Sequence, residues 1–293
     1  MRAQAAEPVP GLLAYWGMLA AGEFDRMLPL EAHKDRNLEL LCLMLHRHAY
    51  HPDAVFLKRA VLPLAQELLD GYDKNYLLGP GGRLLIDTPK AVNPMPEVAG
   101  LRDVLDRMVW HLDQTLTRDL REQVHQMRDE LPPVPVSNEE SPTARLLPAI
   151  ETLAPPEGAP ELSAIFPFRI YGAGKEEIDM ARHTFNARRP GALDPVYAAY
   201  AGLAPEAVKS FQGEFTPAHA LALQAMLLQG DYGRIHLFPA WPKEWDVDFR
   251  LHAPPGTVIE ASLRKGRIEK LRITPSYRAR DLIRHPPQLT QQR

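Results

Sequence analysis

A single cysteine in 293 residues excludes an intrachain disulfide framework. That residue, Cys42, lies among Leu38, Leu41 and Leu45 at helical spacing, where a free thiol serves as a small buried core residue. No apolar run reaches the ~18 residues that a membrane-spanning helix needs. Basic residues number 34 and acidic ones 37, for a net charge of −3 with no basic block, which argues against nucleic acid and membrane surfaces as partners. A Gly-rich phosphate loop, a Ser-His-Asp arrangement and Cys/His zinc spacing are all missing, so no cofactor and no metal are expected. His46, His48 and His51 lie close together, but His-x-His-x2-His at the end of an amphipathic helix reads as a solvated helix end rather than a metal pattern. Residues 11–21 loosely mimic a secretory leader. Glu7, Pro8 and Pro10 sit where its positive region should be, so the stretch reads as a first core helix, with a cytoplasmic location by default and a secreted or periplasmic one as the alternative. No period of 30–50 residues repeats, which excludes a solenoid.

Proline, in contrast, is abundant at 29 residues. It clusters at 132–135, 155–160, 239–242, 254–255 and 286–287, marking loops and element boundaries, because proline breaks helix interiors and cannot donate to a ladder. Between these clusters apolar residues recur at helical spacing. The periodicity predicts helices over 11–30, 37–49, 54–72, 97–112, 117–131, 175–188, 195–211 and 217–229, the third capped by Asp53. In that third helix Val55, Leu57, Val61, Leu62, Leu64, Ala65, Leu68 and Leu69 cover most of the circumference, the pattern of a helix packed on two sides. Residues 84–87 read as a short strand, 136–160 as loop with one helical turn at 144–153, and 165–172 as a buried turn of helix.

After Gln229 the apolar period changes from about 3.6 to 2, as Val247, Phe249 and Leu251 alternate with Asp246, Asp248, Arg250 and His252. Strands are expected near 234–238, 246–252, 257–263 and 267–273, with Lys265-Gly266 turning between the last two. The tail after Pro275 is expected to fray. Residues 1–230 thus form a helical domain and 231–293 a C-terminal β module and tail.

The junction carries a family signal. Gln229-Gly230-Asp231-Tyr232-Gly233, then Ile235-His236-Leu237-Phe238-Pro239-Ala240-Trp241-Pro242 and Trp245-Asp246-Val247-Asp248, resembles the end of the catalytic region in family-95-like glycoside hydrolases, six-hairpin glycosidases related to α-L-fucosidases. The resemblance implies a mainly-α fold, an (α/α) six-hairpin toroid with a small antiparallel β module. A full ring has twelve helices and this sequence supplies roughly ten, so the toroid is expected to be incomplete, with gaps around 30–37 and 210–218. It also implies a carbohydrate substrate or ligand, and an inverting hydrolase acting on a terminal sugar such as an α-L-fucoside.

Inversion uses one protonated carboxyl and one base ~6.5–9.5 Å apart. By resemblance, Glu97 in Asn93-Pro94-Met95-Pro96-Glu97 is the candidate acid and Asp194 in Gly191-Ala192-Leu193-Asp194-Pro195 part of the base machinery. Read from the residues alone, Glu97 complements a helix dipole and Asp194 is an N-cap ahead of proline. Tyr15, Trp16 and Asn93 are the substrate-binding candidates. Related enzymes carry asparagines ahead of the Tyr-Trp pair and a Gly-Trp element ahead of the aspartate; here Leu12-Leu13-Ala14 and Ala192-Leu193 stand in those places. These departures support a second function, a catalytically impaired toroid that binds glycans or serves as a helical scaffold. Phe166 and Phe168 read as core, and Trp241 and Trp245 as staples between the β module and the helices.

Overall fold

The computed structural model describes residues 10–285, except Asp35 and Glu139; Arg2, Glu7 and Pro8 of the leader-like stretch lie outside the described residues. Helix α1 (Pro10–Ala21) leads through a 3-10 segment (Phe24–Ala32) to α2 (Leu38–Tyr50). Asn37 caps α2 by accepting from the Leu40 amide at 2.9 Å. Nearly every residue of α2 is buried, so this helix is central.

Asp53 caps the next helix by accepting from Val55 and Phe56. That helix runs as α3 (Ala54–Phe56), a π turn (Leu57–Val61) and α4 (Leu62–Asn75). Pro63 explains the wide turn, because its ring cannot donate to the preceding turn and crowds the Arg59 carbonyl. The helix is not packed on two sides. Phe56, Leu57, Val61, Leu64, Ala65 and Leu69 are buried while Val55 is exposed, so one stripe faces the core and the apolar count overstated its width.

Strands β1 (Leu77–Leu78) and β2 (Leu84–Leu85) form a hairpin, and β3 (Ala91–Pro94) leads into α5 (Met95–Leu112), followed by α6 (Arg118–Asp129) capped by Thr117. Residues 144–153 are not helical. Strand β4 (Ala149–Thr152) pairs antiparallel with β3, since Pro148 would interrupt the interior of a helix over 144–153 and β-branched Ile150 and Thr152 suit a ladder whose partner lies far away in sequence. The stretch 165–172 is buried at Ile165, Phe166 and Phe168 but is a turn after a 3-10 segment (Pro160–Ala164); Pro167 and the left-handed Arg169, φ 52°, are incompatible with a helix there.

Helix α7 (Ile178–Ala187) precedes α8 (Asp194–Tyr200) and α9 (Ala204–Lys209), two helices where the periodicity predicts one. Gly202, φ +69°, ends α8. The Leu203 amide donates to Ala198 and the Gly202 amide to Ala199, the paired bonds of a Schellman motif. Helix α10 (Pro217–Leu227) begins with a capping box between Thr216 and His219.

Strand β5 (Leu228–Asp231) starts where helix was expected to continue, and pairs with β6 (Arg234–Leu237) across Tyr232-Gly233, both at positive φ as a two-residue hairpin turn requires. Strands β7 (Val247–Ala253), β8 (Thr257–Arg264) and β9 (Arg267–Thr274) form an antiparallel meander at the predicted positions. The tail is structured from Pro275 to His285, and its Gln-rich end, 286–293, lies outside the described residues. A 3-10 segment (Ser276–Asp281) and β10 (Leu282–Arg284) follow, and β10 pairs in parallel with β6. Buried Arg278 ties this segment down, donating to Thr257 Oγ1 at 3.0 Å and to the Pro254 carbonyl at 2.9 Å.

The fold is therefore mainly α with small sheets. Helix α2 packs on α5, α10 on α8 and α1, and β7 on α1. Trp241 is buried and its indole N–H donates to the Trp245 carbonyl at 3.0 Å, whereas Trp245 is only partly buried. No helix among the described residues is long and apolar enough to cross a membrane.

Candidate functional site

Glu97 occupies the first turn of α5, behind Pro96. Its carboxylate oxygen accepts from the Tyr72 hydroxyl of α4. It lines a cleft of about 80 Å³ whose walls include Pro94, Pro96, Pro148, Pro155 and Pro160, with Lys90 and Glu157 ion-paired at its edge. Burial pushes the Glu97 carboxyl up to about 7, overriding the downward pull of the helix dipole. A carboxyl so placed holds its proton near neutral pH, as a general acid must.

Asp194 is placed elsewhere. It is the first residue of α8, with Leu193 as N-cap, so its carboxylate caps nothing. Arg188 grips it instead, donating from Nε at 2.8 Å and Nη2 at 2.5 Å while lying 3.3 Å over the Phe185 ring. This fork-to-fork pair is largely buried. Asp194 is not among the residues lining the Glu97 cleft.

None of the three binding candidates lines the Glu97 cleft either. Trp16 is buried edge-on to His46 and Phe166, and its indole N–H reaches Glu39 Oε1 at 3.4 Å. Tyr15 is partly buried against the core. Asn93 sits at φ 48° and pins its own turn, its side-chain oxygen accepting from the Ile86 amide at 2.8 Å while its backbone amide donates to the Ile86 carbonyl. That use leaves it structural.

A second polar centre lies between α2, α5 and β5. Arg107 meets Asp103 at 2.8 Å and Asp231 at 3.0 Å, and Lys175 meets Asp231 at 2.6 Å. Arg107, Asp103 and Asp231 are buried. Burial raises Asp231, but Arg107, Arg169 and Lys175 outweigh it and hold the carboxyl far below the ordinary range. For Asp103 burial wins over the pull of Arg107, and its pKa rises. Cys42, read as plain core, donates from Sγ to Asp103 Oδ2 at 2.9 Å. His46, read as part of a solvated helix end, is 2% exposed, and burial next to Arg107 and Arg169 keeps it neutral. It also borders a cavity of about 20 Å³ with Trp16, Tyr50, Arg169, Tyr200 and Gln229, room for about one water. The signal for this centre was present in the sequence: Cys42/His46 and Asp103/Arg107 are i, i+4 pairs, with Glu39 on the same face of α2 as Cys42 and His46.

No family model matches the chain, and no curated protein matches it. Among solved structures it is similar to one described as "Putative kojibiose phosphorylase from human microbiome", with 9% sequence identity and a TM-score of 0.52 over 78% of this chain and 42% of that one. At this identity the likeness is one of fold, and the chain spans about two-fifths of the length of that neighbour.

Proposed function

We propose that this chain is a carbohydrate-binding region of six-hairpin glycosidase type, its helices arranged as part of an (α/α) toroid, that does not by itself hydrolyse glycosides by the two-carboxylate inverting route. The observation that carries this reading is the separate engagement of the two carboxylates. Glu97 carries the environment of an acid, but Asp194 is bound bidentately by Arg188 and does not line the Glu97 cleft. A water positioned for in-line attack needs a free base across the same sugar. The α-L-fucosidase reading requires Asp194 to leave Arg188 and reach the Glu97 cleft. The Leu12-Leu13-Ala14 segment offers no side-chain amide to position a water in its place. The cleft, about 80 Å³, is also smaller than the ~300–1,000 Å³ of ligand pockets that enclose a whole molecule. Such a cleft suits one face of a sugar against proline rings, with Lys90, Glu157 and Glu97 as polar partners.

Glu97 itself favours a second reading. Where phosphate supplies the nucleophile, the enzyme needs an acid but no base, and the neighbour named above is described as a phosphorylase. One experiment separates these. The wild-type chain and Glu97→Gln are assayed on aryl α-L-fucoside, aryl α-glucoside and α-linked glucose disaccharides, with and without inorganic phosphate, while saccharide binding is followed by ligand-observed NMR. The binding reading expects saturable sugar binding and no turnover above buffer in either protein. Phosphate-dependent turnover lost in Glu97→Gln would establish the second reading, and phosphate-independent turnover lost in that variant would restore the hydrolase.

A further inference from the structure

We propose that Cys42, His46 and Asp103 form a binding site for a divalent transition metal of the zinc or cobalt kind. Cys42 and His46 are one helical turn apart on α2, hence on one face, and α5 packs against that face carrying Asp103. One ligand atom from each lies within 4.8 Å of the other two, and all three residues are buried. Thiolate, imidazole and carboxylate together are a donor set that Zn²⁺ and Co²⁺ accept.

A second observation points the same way. His46 is 2% exposed and its Nε2 has no hydrogen-bond partner. An orphaned ring nitrogen in the core is costly unless something meets it.

The geometry asks for little movement. Around a tetrahedral zinc, ligand atoms sit about 3.3–3.7 Å apart, given bonds of ~2.0–2.3 Å. The Cys42–Asp103 contact of 2.9 Å has to open, and the widest pair, at most 4.8 Å, has to close; both are side-chain rotations. The ion replaces the thiol proton, which leaves to solvent, so M²⁺ with one thiolate and one carboxylate forms a neutral unit. Arg107 contacts both Asp103 oxygens, Nη2 to Oδ1 at 2.8 Å and Nε to Oδ2 at 2.9 Å, and holds Asp231 at 3.0 Å; it has to yield one Asp103 oxygen to the ion and can keep the other, as outer-shell partners of ligating carboxylates do.

The test is titration of the chelator-treated full chain with Co²⁺, followed by absorption spectroscopy and by competition with Zn²⁺. One Co²⁺ per chain with a thiolate-to-cobalt charge-transfer band and tetrahedral d–d intensity is expected. The band should vanish in Cys42→Ser. His46→Gln should weaken binding by more than the ~10–100-fold typical of an outer-shell partner. His236 and His285, 2.9 Å apart between β6 and the end of β10, are the competing site, and His285→Gln should leave the band intact. No bound cobalt, binding without a thiolate band, or binding abolished by His285→Gln would overturn the proposal. The wild-type spectrum decides the matter even if a core variant fails to fold.

Discussion

Replacing Glu97 by glutamine removes a titrating group while keeping its shape, and the structure fixes how the effect must depend on pH. The carboxyl moves from its ordinary 4.5 to about 7 on folding because it is buried. Between those two values the folded chain holds a proton that the unfolded chain releases, so stability falls as pH rises through this window and levels off above it. At 1.36 kcal/mol per unit of pKa, the wild type loses at most about 3 kcal/mol from this one group on going from pH 4.5 to pH 7. Glu39, also raised to about 7 by burial, adds to the wild-type slope in the same direction but is unchanged by the substitution. The Gln variant should therefore be near wild-type stability at pH 4.5–5, or slightly below it, and more stable by up to about 3 kcal/mol at pH 8. For a chain of this size that corresponds to roughly 5–10 °C in Tm. Urea or thermal denaturation of both proteins at half-unit steps from pH 4.5 to 8 measures the difference directly. A stability difference that stays constant across the range would refute the reasoning, because it would mean that Glu97 titrates alike in the folded and unfolded chain.

Trp241→Ala should destabilise by about 3–5 kcal/mol, the loss expected for a buried indole, while partly buried Trp245→Ala should cost less; denaturation midpoints of the two variants give the order. Arg107→Met should cost about 3–5 kcal/mol by leaving two buried carboxylates facing each other. Adding Asp103→Leu to that variant should recover part of the loss, a coupling that a double-mutant cycle reads out.

Most of the elements were legible because their signals are local. Asn37, Asp53 and Thr117 cap the helices they precede, and the alternation at 247–253 has one apolar face and no competing helical reading. What escaped the sequence depends on distant partners. Residues 149–152 become a strand because 91–94 supply a ladder, and 282–284 because β6 presents an unpaired edge. Gly202 is a helix stop that apolar periodicity on both sides conceals.

The candidate site divides in the same way. That Glu97 would stand at a helix start beside proline followed from its immediate neighbours. That Asp194 would be taken by Arg188, six positions earlier, and that Trp16 would be enclosed, could come only from packing. The buried pairs Cys42/His46 and Asp103/Arg107 carried the clearest unread signal, four residues spaced to face inward, on α2 beside buried Glu39 and Arg47.

The parallel pairing of β10 with β6 has a consequence for the order in which this region acquires its structure. Leu282 pairs with Ile235, so the whole meander β7–β9 is enclosed between two strands of one sheet, and Arg278 bridges from the closing segment to Gly233, Pro254 and Thr257. The meander can form early from neighbouring contacts, whereas the outer edge of β6 stays open until the chain has come back around it. In native-state hydrogen exchange, amides of residues 235–237 and 282–285 should consequently open together as one cooperative unit, distinct from the β7–β9 ladder, making the C-terminal strand the clasp that converts a local hairpin into a closed module.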